Sequence, residues 1–219
     1  MKFATRVIHA GMEPDPSTGA IIPPIYQTST FVQAGPGDNK GYEYARSANP
    51  TRKALETALA SIENARFALS FSSGVAASDA VIRLLVPGDE VIAANDMYGG
   101  TFRLFSKIFE KTGIHFHYVN MQDPENIRSF INAKTKLIWA ETPTNPLMNI
   151  VDLAAVASLA KEKNILFCVD NTFASPYLQN PLDLGADIVI HSATKYLGGH
   201  SDVIHGCLMM NDANLRDQL

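Results

Sequence analysis

The pattern of hydrophobic and polar positions changes near residue 50. Beyond that point, amphipathic segments with a helical period alternate with short, continuous apolar runs that contain many Val and Ile residues. Continuous apolar strands between helices are typical of a mainly parallel sheet that is sandwiched by helices. The sequence therefore predicts an α/β fold, with helices near 51–64, 74–85, 99–112, 124–132 and 152–163, strands near 67–71, 90–95, 115–119, 136–141, 165–170 and 187–191, and a further apolar run at 203–210.

The segment before this point has a different character. Residues 1–50 show no sustained periodicity and contain many Pro, Gly, Ser and Thr residues. Such a segment is expected to be an extended arm that has little core of its own and lies on another surface. The sequence thus predicts an N-terminal arm at 1–50 and a large domain at 51–219.

Composition narrows the class of protein. Of the 219 residues, 46% are hydrophobic and 18% are charged, and the net charge is −4. This balance of charges predicts that the protein does not bind nucleic acid. No long apolar stretch is present, so we also expect no membrane partner and no signal peptide. Cys168 and Cys207 do not form a Cys-x-x-Cys pair. We therefore expect no disulfide framework and a cytoplasmic location.

Candidate chemistry is concentrated in the loop after the strand at 187–191. Lys195 lies there within the segment SATKYLGGHSD, 192–202. A lysine held at the end of a buried strand can lose its proton and attack an aldehyde, as a Schiff-base enzyme requires. A lone lysine in a polar loop is ordinarily a solvated cation, so this interpretation depends on other residues.

Three upstream features support it. Asp170 ends the strand at 165–170, where a carboxylate can keep the ring nitrogen of pyridoxal phosphate protonated. The segment SSGVAA, 72–77, begins a helix whose first N–H groups can bind a phosphate. Tyr98 follows the strand at 90–95 and can stack on a flat ring or relay a proton. By itself, each feature has an ordinary explanation: a capping Asp, a Ser-capped helix and a turn tyrosine.

With these features in this order, the sequence resembles the Cys/Met-metabolism family of pyridoxal-phosphate enzymes. The resemblance covers essentially the whole chain. Five segments found in the expected order are far more specific than any one of them. They are TRVIHAG at 5–11, PPIYQTSTF at 23–31, YARSANPT at 44–51, ETPTNP at 141–146 and the lysine loop at 192–202.

The resemblance implies a fold-type I large domain, similar to that of aspartate aminotransferase, with pyridoxal 5′-phosphate as the cofactor. It implies Lys195 and Tyr98 as catalytic residues, with Glu141 in a supporting position under the ring. The residues that it implies for cofactor binding are Tyr44, Arg46, Ser73, Gly74, Val75, Tyr98, Asn145, Asp170, Thr172, Ser192, Thr194 and Lys195.

The resemblance also implies partners. In the family, the residues that match Tyr44 and Arg46 reach the phosphate of a neighbouring chain, so the arm at 1–50 is expected to contact a neighbouring subunit. The expected assembly is a homotetramer built as a dimer of dimers. No metal is expected at His191, His200 and His205, because the glycines between His191 and His200 favour a loop and no helical spacing with a Glu between two His residues is present.

The resemblance favours one reaction, γ-elimination of L-cystathionine to cysteine, 2-oxobutanoate and ammonia. γ-Replacement on an O-acylhomoserine with cysteine, and β-elimination, stay open because fold and cofactor do not fix the leaving group. A non-catalytic cofactor-binding or scaffold protein is the alternative from another class. The joint presence of Lys195, Tyr98 and Asp170 argues against that alternative.

Family members continue into a C-terminal domain that supplies an arginine for the α-carboxylate of the substrate. This chain ends at Leu219, before such a domain. Without that domain an exposed face of the sheet would be hard to keep soluble. We therefore expect the chain to be part of a longer polypeptide, and the alternative is a truncated product that binds cofactor without positioning an amino acid.

Overall fold

A computed structural model describes the whole chain, residues 1–219. Its contacts form two compact units, Met1–Ile62 and Glu63–Leu219. The helices are α1 (Phe3–His9), α2 (Pro50–Ile62), α3 (Gly74–Ile82), α4 (Gly99–Lys107), α5 (Pro124–Arg128), α6 (Leu153–Lys163), α7 (Ser175–Leu178) and α8 (Ala213–Gln218). The strands are β1 (Phe67–Phe71), β2 (Glu90–Ala94), β3 (His115–Val119), β4 (Thr135–Glu141), β5 (Leu166–Asp170), β6 (Ile188–His191) and β7 (Gly206–Met210).

The first unit contains one helix that the sequence pattern did not predict. α1 lies within the segment that was expected to be extended, and it buries none of its side chains. It packs on α2, where the Arg6 guanidinium donates a hydrogen bond to the Ser61 carbonyl at 2.5 Å. Gly11 follows with a φ of +75°, and a Cβ at this position would lie 2.2 Å from the Ala54 carbonyl oxygen. A two-turn helix held by such contacts is too short to give a clear periodic signal.

The second unit is built on a seven-stranded sheet. The strand order is β1-β7-β6-β5-β4-β2-β3. The pairs β2–β3, β2–β4, β4–β5 and β5–β6 are parallel, whereas β7 runs antiparallel to both β1 and β6. The predicted α/β fold with a mainly parallel sheet is confirmed.

The sheet is buried on both faces. Along β2, Val91 and Ala93 belong to one buried cluster, while Ile92 and Ala94 belong to the other. Side chains on a strand point alternately to opposite faces, so a strand covered on both sides must be apolar at every position. This explains why the strands appeared in the sequence as continuous apolar runs.

Four predicted helices end earlier than expected. α2 ends at Ile62, α3 ends at Ile82, α5 ends at Arg128, and α4 ends at Lys107 before a separate 3-10 turn at Phe109–Thr112. That turn is closed by Gly113 in the left-handed conformation, with a φ of 88°. No helix of the chain is both long and apolar enough to cross a membrane.

Candidate functional site

The carboxyl ends of six strands lie at one edge of the sheet. β2, β3, β4, β5 and β6 are parallel, and β1 shares their direction because both β1 and β6 are antiparallel to β7. Ligands of α/β proteins bind at this edge. A pocket of about 230 Å³ lies there, within the second unit. Eight of the predicted site residues line it: Ser73, Gly74, Val75, Tyr98, Asp170, Ser192, Thr194 and Lys195.

One wall of the pocket is the start of α3. Ser73 is the N-cap residue, and its hydroxyl accepts a hydrogen bond from the Ala76 N–H at 3.0 Å. The N–H groups of the first helical turn have no intrahelical acceptor and favour an anion. Glycine is required here for packing, because a Cβ at Gly74 would lie 2.9 Å from the Ser192 Cβ, and one at Gly206 would lie 2.0 Å from the Ser73 carbonyl oxygen. The helix start can therefore lie directly against the lysine loop.

Asp170, at the end of β5, provides a buried carboxylate. Its Oδ1 accepts hydrogen bonds from the Thr172 hydroxyl at 2.6 Å and the Thr172 N–H at 3.0 Å. The Thr172 hydroxyl in turn accepts a hydrogen bond from the Ser192 N–H at 2.9 Å. Burial raises the pKa of Asp170, and the two hydrogen bonds from Thr172 oppose that rise. Thr172 thus connects the acid to the lysine loop but is not itself among the residues that line the pocket.

The lysine loop is a compact turn between β6 and β7. The Lys195 N–H donates to the Ser192 carbonyl at 3.0 Å, and the Lys195 side chain is exposed where it lines the pocket. Thr194 is fixed by the backbone of His205: its hydroxyl accepts from the His205 N–H at 3.0 Å. The hydrogen bonds of the turn hold the lysine at the pocket, close to the start of α3.

Tyr98 immediately precedes α4 and is held by a second carboxylate. Its backbone N–H donates to Glu141 Oε2 at 2.8 Å. Glu141 ends β4 and is the register partner of Asp170 on β5. Burial, with the charge of Asp170 as the second cause, raises the pKa of Glu141 to about 8. Two carboxyl groups therefore lie on adjacent strand ends at the site.

The position of the Tyr98 ring depends on Gly100. A Cβ at Gly100 would lie 2.2 Å from Cε1 of Tyr98, whereas a Cβ at Gly99 would meet only the flexible end of Arg103 at 3.5 Å. Gly100→Ala must displace the ring, and we expect turnover to fall by up to roughly 10²-fold because a reacting group is moved. Gly99→Ala is the matched control and should keep turnover, since alanine is favourable in a helix. Equal kcat values in the two variants would contradict this prediction.

Besides Thr172, three predicted cofactor-binding residues do not line the pocket. Asn145 belongs to the connection after β4, in which the Thr142–Pro143 and Asn145–Pro146 peptide bonds are cis, and it does not line the pocket. Tyr44 and Arg46 belong to the first unit. There the Arg46 guanidinium lies 5.0 Å from the centroid of the Tyr44 ring, and Tyr44 is exposed. Their reach to a cofactor in a neighbouring chain stays a prediction.

Four residues that line the pocket were missed by the sequence analysis. They are Ser78, Thr101, Ile190 and Ile204. Helical spacing could have identified two of them, because Ser78 lies four residues after Gly74 in α3 and Thr101 lies three residues after Tyr98. Alternation along β6 could have identified Ile190, which lies two residues before Ser192.

A buried polar network was also missed. His191 Nε2 lies 2.5 Å from Glu63 Oε1, and both side chains are almost fully buried. The Asn171 side chain donates to the same Glu63 oxygen at 2.7 Å, and the Asn180 side chain donates to Oε2 at 3.1 Å. Because Ile190 lines the pocket, strand alternation directs its neighbour His191 to the other face of the sheet. The histidine closest to Lys195 in the sequence is therefore part of the support beneath the site.

The pocket residues fit pyridoxal phosphate. The start of α3 and the nearby hydroxyls could hold the phosphate, and Asp170 provides an anion that a protonated ring nitrogen could contact. Lys195 provides an amine at the same pocket, and Tyr98 provides an aromatic ring. Gly74 lets the start of α3 pack against Ser192 of the lysine loop, which a Cβ would prevent.

Comparison with known proteins agrees with this arrangement. The model of the Cys/Met metabolism PLP-dependent enzyme family matches residues 4–219. The chain is 53% identical over 215 residues to a cystathionine gamma-synthase of Mycobacterium leprae, and 51% identical over 217 residues to a cystathionine beta-lyase of Coxiella burnetii. These alignments cover 97% and 98% of this chain but 55% and 56% of the two relatives.

A solved structure gives the same result. The crystal structure of cystathionine gamma-lyase from Lactobacillus plantarum, complexed with L-serine, superposes with a TM-score of 0.97 at 48% identity. It covers 100% of this chain, which spans 57% of that structure. The match extends over nearly every residue of the chain, including the pocket. This protein belongs to the Cys/Met metabolism family of PLP-dependent enzymes.

Proposed function

We propose that the protein is a pyridoxal-phosphate-dependent enzyme that breaks the bond between Cγ and sulfur in L-cystathionine. Water enters the overall reaction, and the products are cysteine, 2-oxobutanoate and ammonia. The observation that carries the proposal is the meeting of Lys195, Asp170, Tyr98 and the start of α3 at one pocket. The relatives named for cystathionine chemistry support the substrate class.

When bound, the cofactor supplies an electron sink for an amino acid attached to it. Asp170 would keep the ring nitrogen protonated, because a buried anion stabilises positive charge on that nitrogen, and the protonated ring withdraws electrons more strongly. The phosphate would lie at the first turn of α3, where the N–H groups and Ser73 act as donors. These contacts orient the ring relative to Lys195.

Lys195 would act as both covalent anchor and base. Its amine, once exchanged for that of the substrate, is free to remove the proton from the substrate Cα and return protons to carbon. Tyr98 would stack on the ring, and its hydroxyl would assist these transfers. Both side chains line the pocket, so neither role requires a large rearrangement of the backbone.

A second reaction is favoured by the names of the relatives. The Mycobacterium leprae relative is called a cystathionine gamma-synthase, which supports γ-replacement on an O-acylhomoserine with cysteine. The Coxiella burnetii relative supports β-elimination in the same way. All three reactions begin with removal of the proton from the substrate Cα, so the pocket residues above serve each of them equally.

Product analysis separates these reactions. The protein should be incubated with L-cystathionine and, separately, with O-succinylhomoserine plus cysteine. γ-Elimination predicts 2-oxobutanoate and cysteine from the first mixture, whereas β-elimination predicts pyruvate and homocysteine. Faster formation of cystathionine in the second mixture would favour γ-replacement. A yellow protein with no turnover on any of these substrates would support a non-catalytic cofactor-binding or scaffold role instead.

We propose that the arm carrying Tyr44 and Arg46 completes the phosphate site of a neighbouring chain in a homotetramer. A guanidinium and a phenol can both donate hydrogen bonds to a phosphate, which supports this role. Arg46→Ala and Lys195→Ala chains should each be nearly inactive, and mixing them with subunit exchange should restore part of the activity. The restored site combines an intact arm from one chain with an intact lysine from the other.

The control mixture combines Asp170→Asn with Lys195→Ala. Both changes lie in the second unit, so every site in the mixture has either the altered Asp170 or the altered Lys195, whichever chain provides the arm. Activity should therefore stay low. Recovery in this control would mean that mixing itself raises activity. Failure of the Arg46 mixture after confirmed subunit exchange would mean that the arm serves its own chain.

A further inference from the structure

Two buried carboxyl groups lie side by side at the edge of the sheet. Glu141 is the last residue of β4 and Asp170 the last of β5, and the two are partners in the parallel register. Glu141 is 5% exposed and Asp170 is 9% exposed. Asp170 lines the pocket, whereas Glu141 does not. Asp170 has a part in the proposed mechanism, whereas Glu141 has no assigned part in it.

Glu141 joins two loops that reach the site. Its Oε2 accepts the backbone N–H of Tyr98 at 2.8 Å. The backbone N–H of Asn145 is also hydrogen-bonded to its carboxyl group. One side chain thus fixes the start of α4, which carries Tyr98, and the connection after β4, which carries Asn145. These two hydrogen bonds lower the pKa of Glu141, but burial, the larger effect, raises it. A neutral carboxylic acid keeps an oxygen that can accept both bonds.

The charges around the pair are unequal. Like charges in a buried pair disfavour double ionisation. The charges that act on Glu141 are those of Asp170 and Asp96, and both are negative. Burial raises the pKa of Asp170 too, but hydrogen bonds from the Thr172 hydroxyl at 2.6 Å and the Thr172 N–H oppose that rise, as does the nearby His191. Lys195 lines the same pocket as Asp170.

We propose that Glu141 is a positioning residue that holds the Tyr98 and Asn145 loops as a neutral carboxylic acid, leaving Asp170 as the one ionised member of the pair. Burial raises the pKa of Glu141 to about 8, with Asp170 as the second cause, which agrees with a proton at this position at neutral pH. The charge available to a ring nitrogen is then localised on the residue that faces the pocket. This last consequence rests on the proposed function.

Infrared spectroscopy of the purified full-length protein, with the cofactor removed and again with it restored, tests the location of the proton. At neutral pH the wild-type spectrum should contain the C=O stretch of a neutral carboxylic acid, and this band should disappear as the pH rises through about 8. Glu141→Gln should remove the band. Asp170→Asn should keep it and move its midpoint to lower pH, owing to loss of the neighbouring charge.

The opposite pattern would overturn the proposal. A band that survives in Glu141→Gln and disappears in Asp170→Asn would assign the proton to Asp170. A wild-type protein without the band would mean that both carboxyl groups are ionised. These outcomes are independent of whether the protein turns over cystathionine, so they can be distinguished from a failure of the proposed function.

Urea unfolding of the same proteins gives a second readout. The native pKa of Glu141 lies above its ordinary value of 4.5, so the native state holds a proton that the unfolded state has released. Stability from this group is therefore present at low pH and is lost as pH rises from about 4.5 to about 8. Glu141→Gln should flatten that slope. An unchanged slope would contradict a raised pKa at Glu141.

The positioning role of Glu141 is tested by comparing two variants, Glu141→Gln and Glu141→Leu. Glutamine keeps an oxygen acceptor and resembles the neutral acid, so Glu141→Gln should keep cofactor affinity and the cofactor absorption spectrum close to those of the wild type. Glu141→Leu has no acceptor for the Tyr98 and Asn145 N–H groups, and it should weaken cofactor binding by about tenfold or more. Equal losses in both variants would mean that the charge, and not the acceptor, is what the site needs.

Discussion

Lys195→Ala is expected to lower turnover of the preferred substrate by roughly 10²–10⁴-fold, the range for loss of a general acid–base group. The variant loses the amine that bonds to the cofactor and that moves the proton from the substrate Cα. Because Lys195 is exposed at the pocket, the truncation leaves no cavity in the core and the fold should persist. Steady-state rates, with circular dichroism to confirm folding, provide the measurement.

Two further observations sharpen this test. Borohydride treatment of the wild-type protein should leave the mass of the reduced cofactor on the peptide that contains Lys195, and the variant peptide should remain unmodified. Added methylamine should restore part of the lost rate by supplying an amine. Lys161→Ala, on the exposed side of α6, is the matched control and should keep normal turnover. Full activity in Lys195→Ala would refute the assigned role.

Asp170→Asn is expected to retain bound cofactor and to lower turnover by about 10²–10³-fold. Asparagine has nearly the shape of aspartate and can still accept hydrogen bonds from Thr172, but it provides no negative charge for a ring nitrogen. The loss should therefore be in kcat, with little change in cofactor affinity. Parallel measurement of kcat and of cofactor binding by absorbance distinguishes the two effects.

The matched control is Asp187→Asn. Asp187 lies at the opposite end of the sheet from the pocket, next to the start of β6, and its Oδ2 accepts the Phe167 N–H at 2.8 Å. Burial raises its pKa as it does that of Asp170, so the two positions share a desolvated carboxyl group but not the pocket. Asp187→Asn should leave kcat unchanged. Near-normal turnover in Asp170→Asn would contradict the proposal that Asp170 provides the negative charge next to the ring nitrogen.

The sequence pattern was sufficient for most of the second unit. Continuous apolar runs gave the strands within one or two residues, because a sheet covered on both faces needs apolar residues at successive positions. The order of Tyr98, Asp170 and Lys195 after three of these strands was enough to predict a shared site. Carboxyl ends of parallel strands meet at one edge, so residues far apart in the sequence become neighbours by topology alone.

The hydrophobic pattern of the sequence could not predict which strands pair or in which direction they run. The apolar run at 203–210 gave no direction for β7, which runs antiparallel between β1 and β6. Antiparallel and parallel strands that are buried on both faces have the same hydrophobic pattern, so direction depends on the path of the chain. The early ends of α4 and α5 also depended on local turns that hydrophobic periodicity does not describe.

The sequence by itself predicted the α/β class, the strand positions and eight of the residues that line the pocket, since these follow from local periodicity and from residues that directly follow strands. The hydrogen bond between Glu63 and His191 was found only in the folded chain, because these residues are 128 positions apart in the sequence. The pairing of Glu141 with Asp170 likewise required the register of β4 and β5. Burial and a nearby negative charge both raise the pKa of a carboxyl group. Both arise from tertiary contacts, so the spacing of residues in the sequence does not reveal them.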